Sequence, residues 1–182
     1  AFGDPDQEFH TIATWLQGAG YQTAHIGKYL TGYGKDTEET YVPPGYNYWR
    51  GLIDPSTYLV YDYSMNVDGA VVNYTTEYQT DILSAHANNI VDQHASNGNG
   101  QPLFMVLTPM APHTENLPEF NALHAQKGYR TYAHEYIRPA ARHTHLIDGD
   151  RTTANFRPLN TSHLSTQQMS KQNLILLRTY RF

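Results

Sequence analysis

The run Pro102-Leu-Phe-Met-Val-Leu-Thr-Pro109 constrains the fold more than any other stretch of the chain. Nearly continuous apolar residues of strand length, closed by a proline at each end, suit a strand covered on both faces of a parallel sheet. A second β-compatible segment, Tyr21–Ile26, lies far upstream. Between them stands a helical pattern in which Leu83, Ala87, Ile90 and Val91 share one face, opened by Thr76-x-x-Gln79, which reads as a capping box, and stopped by Asn97-Gly98-Asn99-Gly100. Strand, helix, strand is a crossover connection, which makes the two strands parallel and puts their C-terminal ends on one edge of the sheet. The expected fold class is α/β: a mostly parallel sheet with flanking helices and an inserted β-hairpin. Open sheets of this class bind ligands at that edge. Lys28 follows the first strand and Ala111-Pro112-His113 follows the second. A lysine and a histidine are thus expected on one rim, where they could hold a tetrahedral oxyanion and deliver a proton to a leaving group.

The remaining segments fill in around this unit. Asp4-Pro5-Asp6 with Glu8 reads as a helix start, and Phe9, Ile12, Ala13 and Leu16 fall at the spacing of a buried stripe. Gly18 or Gly20 can supply the left-handed residue that ends such a helix. From Tyr29 to Tyr74 the chain is aromatic and punctuated by Pro and Gly, too aromatic for disorder. Asp68-Gly69 there is a two-residue hairpin turn, expected to carry a small antiparallel hairpin beside the main sheet. The tyrosines of this excursion are read as packing residues and not as a sugar-stacking platform. Ser165–Arg178 has the pattern of a final helix. His25 is read as a packing or surface residue, His143-Thr-His145 as a polar loop, and Asp81 as a structural or solvent-facing carboxylate. Asn73-Tyr-Thr75 and Asn160-Thr-Ser162 fit glycosylation acceptors.

At 182 residues and 40% apolar content the chain has the length and the hydrophobes of one domain. It contains no apolar run long enough to span a bilayer, and no membrane partner is expected. The absence of cysteine excludes disulfides, thiolate metal sites and a cysteine nucleophile within it. Residues 1–123 carry 3 Lys and Arg against 14 Asp and Glu, and residues 124–182 carry 9 against 3. The basic residues of the second part are scattered, so a solvated or internally paired surface is expected there and nucleic acid is not an expected partner. In the acidic part Lys28, Lys35 and Arg50 are the strong cations, so an anion bound there has few candidate partners.

Thr11–Leu30, Pro43–Trp49, Tyr78-Gln-Thr-Asp81 and Pro102–His113 together cover most of residues 8–115. In order and suitably spaced, these four stretches resemble successive motifs of the type I sulfatases, with Asn155-Phe-Arg-Pro158 as a weaker match to the next region. The resemblance implies an alkaline-phosphatase-like α/β fold, hydrolysis of sulfate monoesters, and contact of Lys28 and His113 with the sulfate group of a sulfated small molecule or sugar. It also implies a secreted or lysosomal setting. Family members take their nucleophile, a formylglycine, from a Cys or Ser in Cys-x-Pro-x-Arg and hold a calcium ion with Asp and Asn residues. This chain has neither motif, so calcium and formylglycine are expected in a full-length parent and not from these residues. The expectation is an internal fragment: residues 1–182 as one partial catalytic domain, 1–119 well matched and 120–182 weakly, inactive by itself. A non-catalytic sulfatase-like binding domain is the alternative. Gly27-Lys-Tyr-Leu30 resembles the branch holding glucosamine-6-sulfatases and certain arylsulfatases.

Overall fold

Residues 12–18 wind into a helix because Thr11 and Thr14 cap each other. The Thr14 amide donates to Thr11 Oγ1 at 3.3 Å and the Thr11 amide to Thr14 Oγ1 at 3.0 Å, satisfying amides that have no partner inside the helix. The computed structural model describes residues 5–97, 100–111, 113, 115 and 140. The chain divides into two compact units, Ala1–Met110 and Ala111–Phe182. The first holds a 3-10 turn Pro5–Phe9, helix α1 (Ile12–Gly18), strands β1 (Gln22–Gly27), β2 (Tyr48–Leu52), β3 (Tyr63–Val67) and β4 (Ala70–Tyr74), helix α2 (Gln79–Asn97) and strand β5 (Leu103–Thr108). A short 3-10 turn, Ser56–Tyr58, precedes β3. The expected final helix, the Asn155–Pro158 match and the His143–His145 loop lie outside the described residues.

Among the described residues the strands form one sheet in the order β4-β3-β2-β1-β5. β1 pairs in parallel with β2 and with β5, while β2–β3 and β3–β4 are antiparallel, so the sheet is mixed within an α/β fold. The β1–β5 pairing is the expected crossover, in register from Gln22 opposite Leu103 to Gly27 opposite Thr108. The hairpin forms as expected on Asp68 (φ 50°) and Gly69 (φ 90°), both left-handed, the signature of a tight primed turn. It continues the main sheet through β2 and does not stand beside it.

Alternation along β1 gives the sheet two cores. Ala24 and Ile26 face α2 and join Leu52, Tyr63, Met65, Leu83 and Ile90. At about 1.5–3 kcal/mol for each fully buried large aliphatic side chain, Leu83 and Ile90 are the main hydrophobic anchors of α2. The opposite face meets the aromatic excursion: Tyr33, Trp49 and Ile53 are buried there, with Tyr29, Tyr41, Val42 and Tyr46 packed around them. The tyrosines are packing residues, as expected. The Tyr33 hydroxyl accepts from Trp49 Nε1 at 2.7 Å and Asn66 Nδ2 at 2.8 Å and donates to the Tyr41 carbonyl at 2.5 Å, so the phenol ties the excursion to β2 and β3. Thr23 Oγ1 donates to the Gly45 carbonyl at 2.6 Å and pins the excursion to β1.

Four local expectations fail in whole or in part. Of the expected stripe Ala13 is buried and Leu16 half-buried, but Phe9 and Ile12 are 63 and 57% exposed, because the helix begins only at Ile12 and Phe9 sits in the 3-10 turn before it. β5 is half-buried along most of its length and Leu107 is 47% exposed, because β5 is the last strand of the described sheet and has a neighbour on one side only. Gln79 does not act in a capping box at the start of α2. Its buried amide instead donates to the carbonyls of Thr57 at 3.1 Å and Leu59 at 2.7 Å. Val91, placed on the buried face, is 48% exposed. Among the described residues no helix is long and apolar enough to cross a membrane.

Candidate anion-binding site

Lys28 stands where β1 ends, and the end is set by close approach of β5. The Lys28 amide donates to the Thr108 carbonyl at 2.9 Å, and Thr108 Oγ1 returns a bond to the Lys28 carbonyl at 2.6 Å. Gly27 makes this possible: its φ is 110°, and a Cβ there would collide with the Thr108 carbonyl. The lysine backbone is thereby clamped at the C-terminal edge of two parallel strands, where open α/β sheets take their ligands.

The side chain is half-buried and held from across the sheet. Lys28 Nζ donates to the Tyr58 hydroxyl at 2.6 Å and lies 4.6 Å from the centre of the Tyr58 ring. A cation near an aromatic face gains about 0.5–2 kcal/mol depending on its desolvation. Tyr58 reaches this place through the 3-10 turn Ser56–Tyr58, whose Thr57 and following Leu59 carbonyls are gripped by Gln79. One of the three ammonium donors is thus engaged among the described residues, and an ammonium has donors enough to serve an oxyanion as well. Nothing in the sequence singles out Tyr58 among the fifteen tyrosines, and the 30-residue separation from Lys28 hides the pairing.

His113 belongs to the second unit, where it is exposed in a bend, with Glu115 and Ala140 both buried. His25, three residues before Lys28, is buried at 2% exposure and stacks on Trp49 with ring centres 4.8 Å apart, edge-on to Tyr29 and Tyr46. Neither ring nitrogen has a hydrogen-bond partner among the described residues. Burial, which outweighs the opposing influence of the Gly27 and Lys28 backbone, lowers its pKa to about 4. The ring is a neutral packing element, which settles the packing-or-surface alternative in favour of packing. Among the described residues no group of three His, Cys, Asp or Glu side chains is disposed to hold a metal ion.

A mixed α/β sheet with a clamped ammonium at the C-terminal edge of its parallel pair has the build of an anion-handling α/β protein. Residues 2–148 match the family model described as Sulfatase, and the chain belongs to the sulfatase family. It is similar to an extracellular sulfatase SULF-1 homolog of Drosophila melanogaster, at 30% identity over 145 residues, covering 78% of this chain and 12% of that protein. Against an N-acetylglucosamine-6-sulfatase of Homo sapiens the identity is 36% over 115 residues, covering 59% and 20%. Against an arylsulfatase of Volvox carteri it is 29% over 153 residues, covering 84% and 22%. The chain therefore spans between 12 and 22% of the length of these relatives. Among solved structures it is similar to a protein captured with its substrate D-glucosamine-2-N,6-O-disulfate, with a TM-score of 0.46 and 27% identity, covering 71% of this chain and 23% of that one.

Proposed function

We propose that this chain is part of a sulfuric ester hydrolase acting on sulfate monoesters of sugars or small aryl compounds, in a secreted or lysosomal protein. The observation that carries the reading is Lys28, an ammonium fixed by Thr108 through its backbone and by Tyr58 through its side chain at the ligand-binding edge of a sheet in a sulfatase-family chain. In this reading Lys28 donates to two non-bridging sulfate oxygens, drawing off the charge that develops as the ester S–O bond breaks. His113 contacts the same group and hands a proton to the departing oxygen.

Formylglycine would supply the attacking hydroxyl in such an enzyme, and calcium would hold the sulfate and the nucleophile when bound. The residues present do not fit either group: the chain has no cysteine, and the described residues form no metal cluster. Both groups are assigned to a full-length parent, and this chain alone is expected to turn over no sulfate ester.

The test is replacement of each residue in the whole enzyme. Lys28→Ala and His113→Ala should each lower turnover of a sulfate ester about 10²-fold or more, the usual loss of one oxyanion stabiliser. Unchanged turnover in both variants refutes the assignment. Sulfate-dependent thermal stabilisation of the whole protein without any hydrolysis would identify it instead as a binding domain.

A further inference from the structure

We infer that Asn73 carries an N-linked oligosaccharide. Asn73-Tyr74-Thr75 has the acceptor pattern for glycan transfer, and the fold presents it where a glycan fits. The triplet closes β4, the outermost strand on its side of the described sheet. Asn73 and Thr75 are both exposed, and so are Thr76 and Glu77 beyond them.

The geometry of the amide sharpens this. Asn73 lies opposite Ser64 in the β3–β4 register, and Ser64 Oγ donates to Asn73 Oδ1 at 2.7 Å. The oxygen is thus taken up against β3, and Nδ2, the atom that bonds to sugar, is turned away from it. Among the described residues Nδ2 makes no hydrogen bond, so a glycan costs the fold none of its contacts. Residues two apart on a strand share a face, which puts Val71, 37% exposed, beside Asn73. A first N-acetylglucosamine on Nδ2 would lie over this apolar side chain and along the open edge of β4. Exposed edges invite pairing with other chains, and a bulky hydrated group there blocks it.

In the transfer, Asn73 Nδ2 attacks the anomeric carbon of an oligosaccharide held on a polyprenyl diphosphate. The Nδ2–C1 bond forms, the C1–O bond to the diphosphate breaks, the lipid diphosphate departs with the electron pair, and the amide proton passes to a base of the transferase. The inference rests on the secreted or lysosomal reading, since transfer takes place on chains entering the secretory pathway.

The experiment uses the full 182-residue chain, produced in eukaryotic cells behind a cleavable secretion leader, with Asn160→Gln removing the second acceptor triplet. Material whose leader has been cleaved is treated with peptide-N-glycosidase and its peptides are mapped by mass. The expected result is a mass loss on treatment with an aspartate read at position 73, loss of the effect in Thr75→Val, and its return in Thr75→Ser. Both variants leave Asn73 and its Ser64 contact in place. An unmodified asparagine at position 73 in leader-cleaved material overturns the inference. The readout requires no turnover, so an unmodified Asn73 overturns this inference whatever the whole enzyme does with sulfate esters, and unchanged turnover in the Lys28 and His113 variants of the whole enzyme overturns that assignment alone.

Discussion

Acid should destabilise the first unit through His25, and the size of the effect follows from where the ring sits. The unfolded chain binds a proton on this residue near pH 6.5, whereas the folded chain does so only near pH 4. Between those values the unfolded state holds more protons, so stability rises with pH across the window and is lost as pH falls through it. At about 1.4 kcal/mol for each pH unit, the full difference is about 3 kcal/mol, and about 2 kcal/mol is gone by pH 5. The structural cause is desolvation: the imidazole is closed in by Trp49, Tyr29 and Tyr46, and this burial outweighs the opposing influence of the Gly27 and Lys28 backbone. The assay is urea unfolding of wild type and His25→Phe at half-unit steps from pH 7.5 to 4.5. Other groups titrate in both proteins, so the difference between the two curves isolates His25. Wild type should lose stability relative to the variant as the pH falls, by about 2 kcal/mol at pH 5. Parallel curves, or a ring titrating near pH 6.5 in the folded protein by NMR, would refute the reasoning.

Other substitutions test the clamp and the aromatic layer. Gly27→Ala forces a side chain into a φ of 110° against the Thr108 carbonyl and should cost about 1–3 kcal/mol from backbone strain alone, read as a lowered melting temperature. A neutral result would mean that the β1–β5 approach is looser than the bonds at Lys28 indicate. Tyr33→Phe strands the buried Trp49 Nε1 donor, takes one of two acceptors from Asn66 Nδ2, which keeps the Tyr41 carbonyl, and should cost about 1–3 kcal/mol in urea unfolding. A change within about 0.5 kcal/mol, the scatter of surface substitutions, would show the donors rehoused. Tyr58→Phe keeps the ring beneath Lys28 but removes the hydroxyl, and should lower sulfate ester turnover of the whole enzyme about tenfold, the worth of one hydrogen bond to a charged group. In a Lys28→Ala background the same change should do nothing further, and additive losses would show that Tyr58 acts elsewhere.

How far the sequence carried depended on whether a segment's pattern arose from its own environment or from a distant one. The βαβ unit was legible because the apolar run at Leu103–Leu107 and the periodicity of α2 are local consequences of burial against each other. The Asp68-Gly69 turn was legible because left-handed φ at successive residues restricts residue type. β2 was not, since Tyr-Trp-Arg-Gly-Leu fits no simple alternation: Trp49 is buried in the aromatic layer, while Arg50, on the other face, is paired with Asp68 and donates to the Trp49 carbonyl. The Thr76–Gln79 spacing misled because the same amide that could close a capping box finds better partners in the turn before β3, some twenty residues away. The stripe on α1 misled because periodicity reports a face without reporting what covers it.

The same distinction applies to the site. The position of Lys28 at a strand end was readable, because crossover topology alone dictates which end of β1 meets which end of β5. Its orientation was not, because that depends on Tyr58 and Gln79, which are brought together by the excursion and by the start of α2. A lysine placed by topology alone would sample many rotamers in water, at an ordering cost of about 1.5–2 kcal/mol on binding an anion. Tyr58 holds the ammonium in one place, and if Lys28 takes the sulfate as proposed this removes part of that cost, which is why the hydroxyl should then matter to turnover although it need never touch the ester.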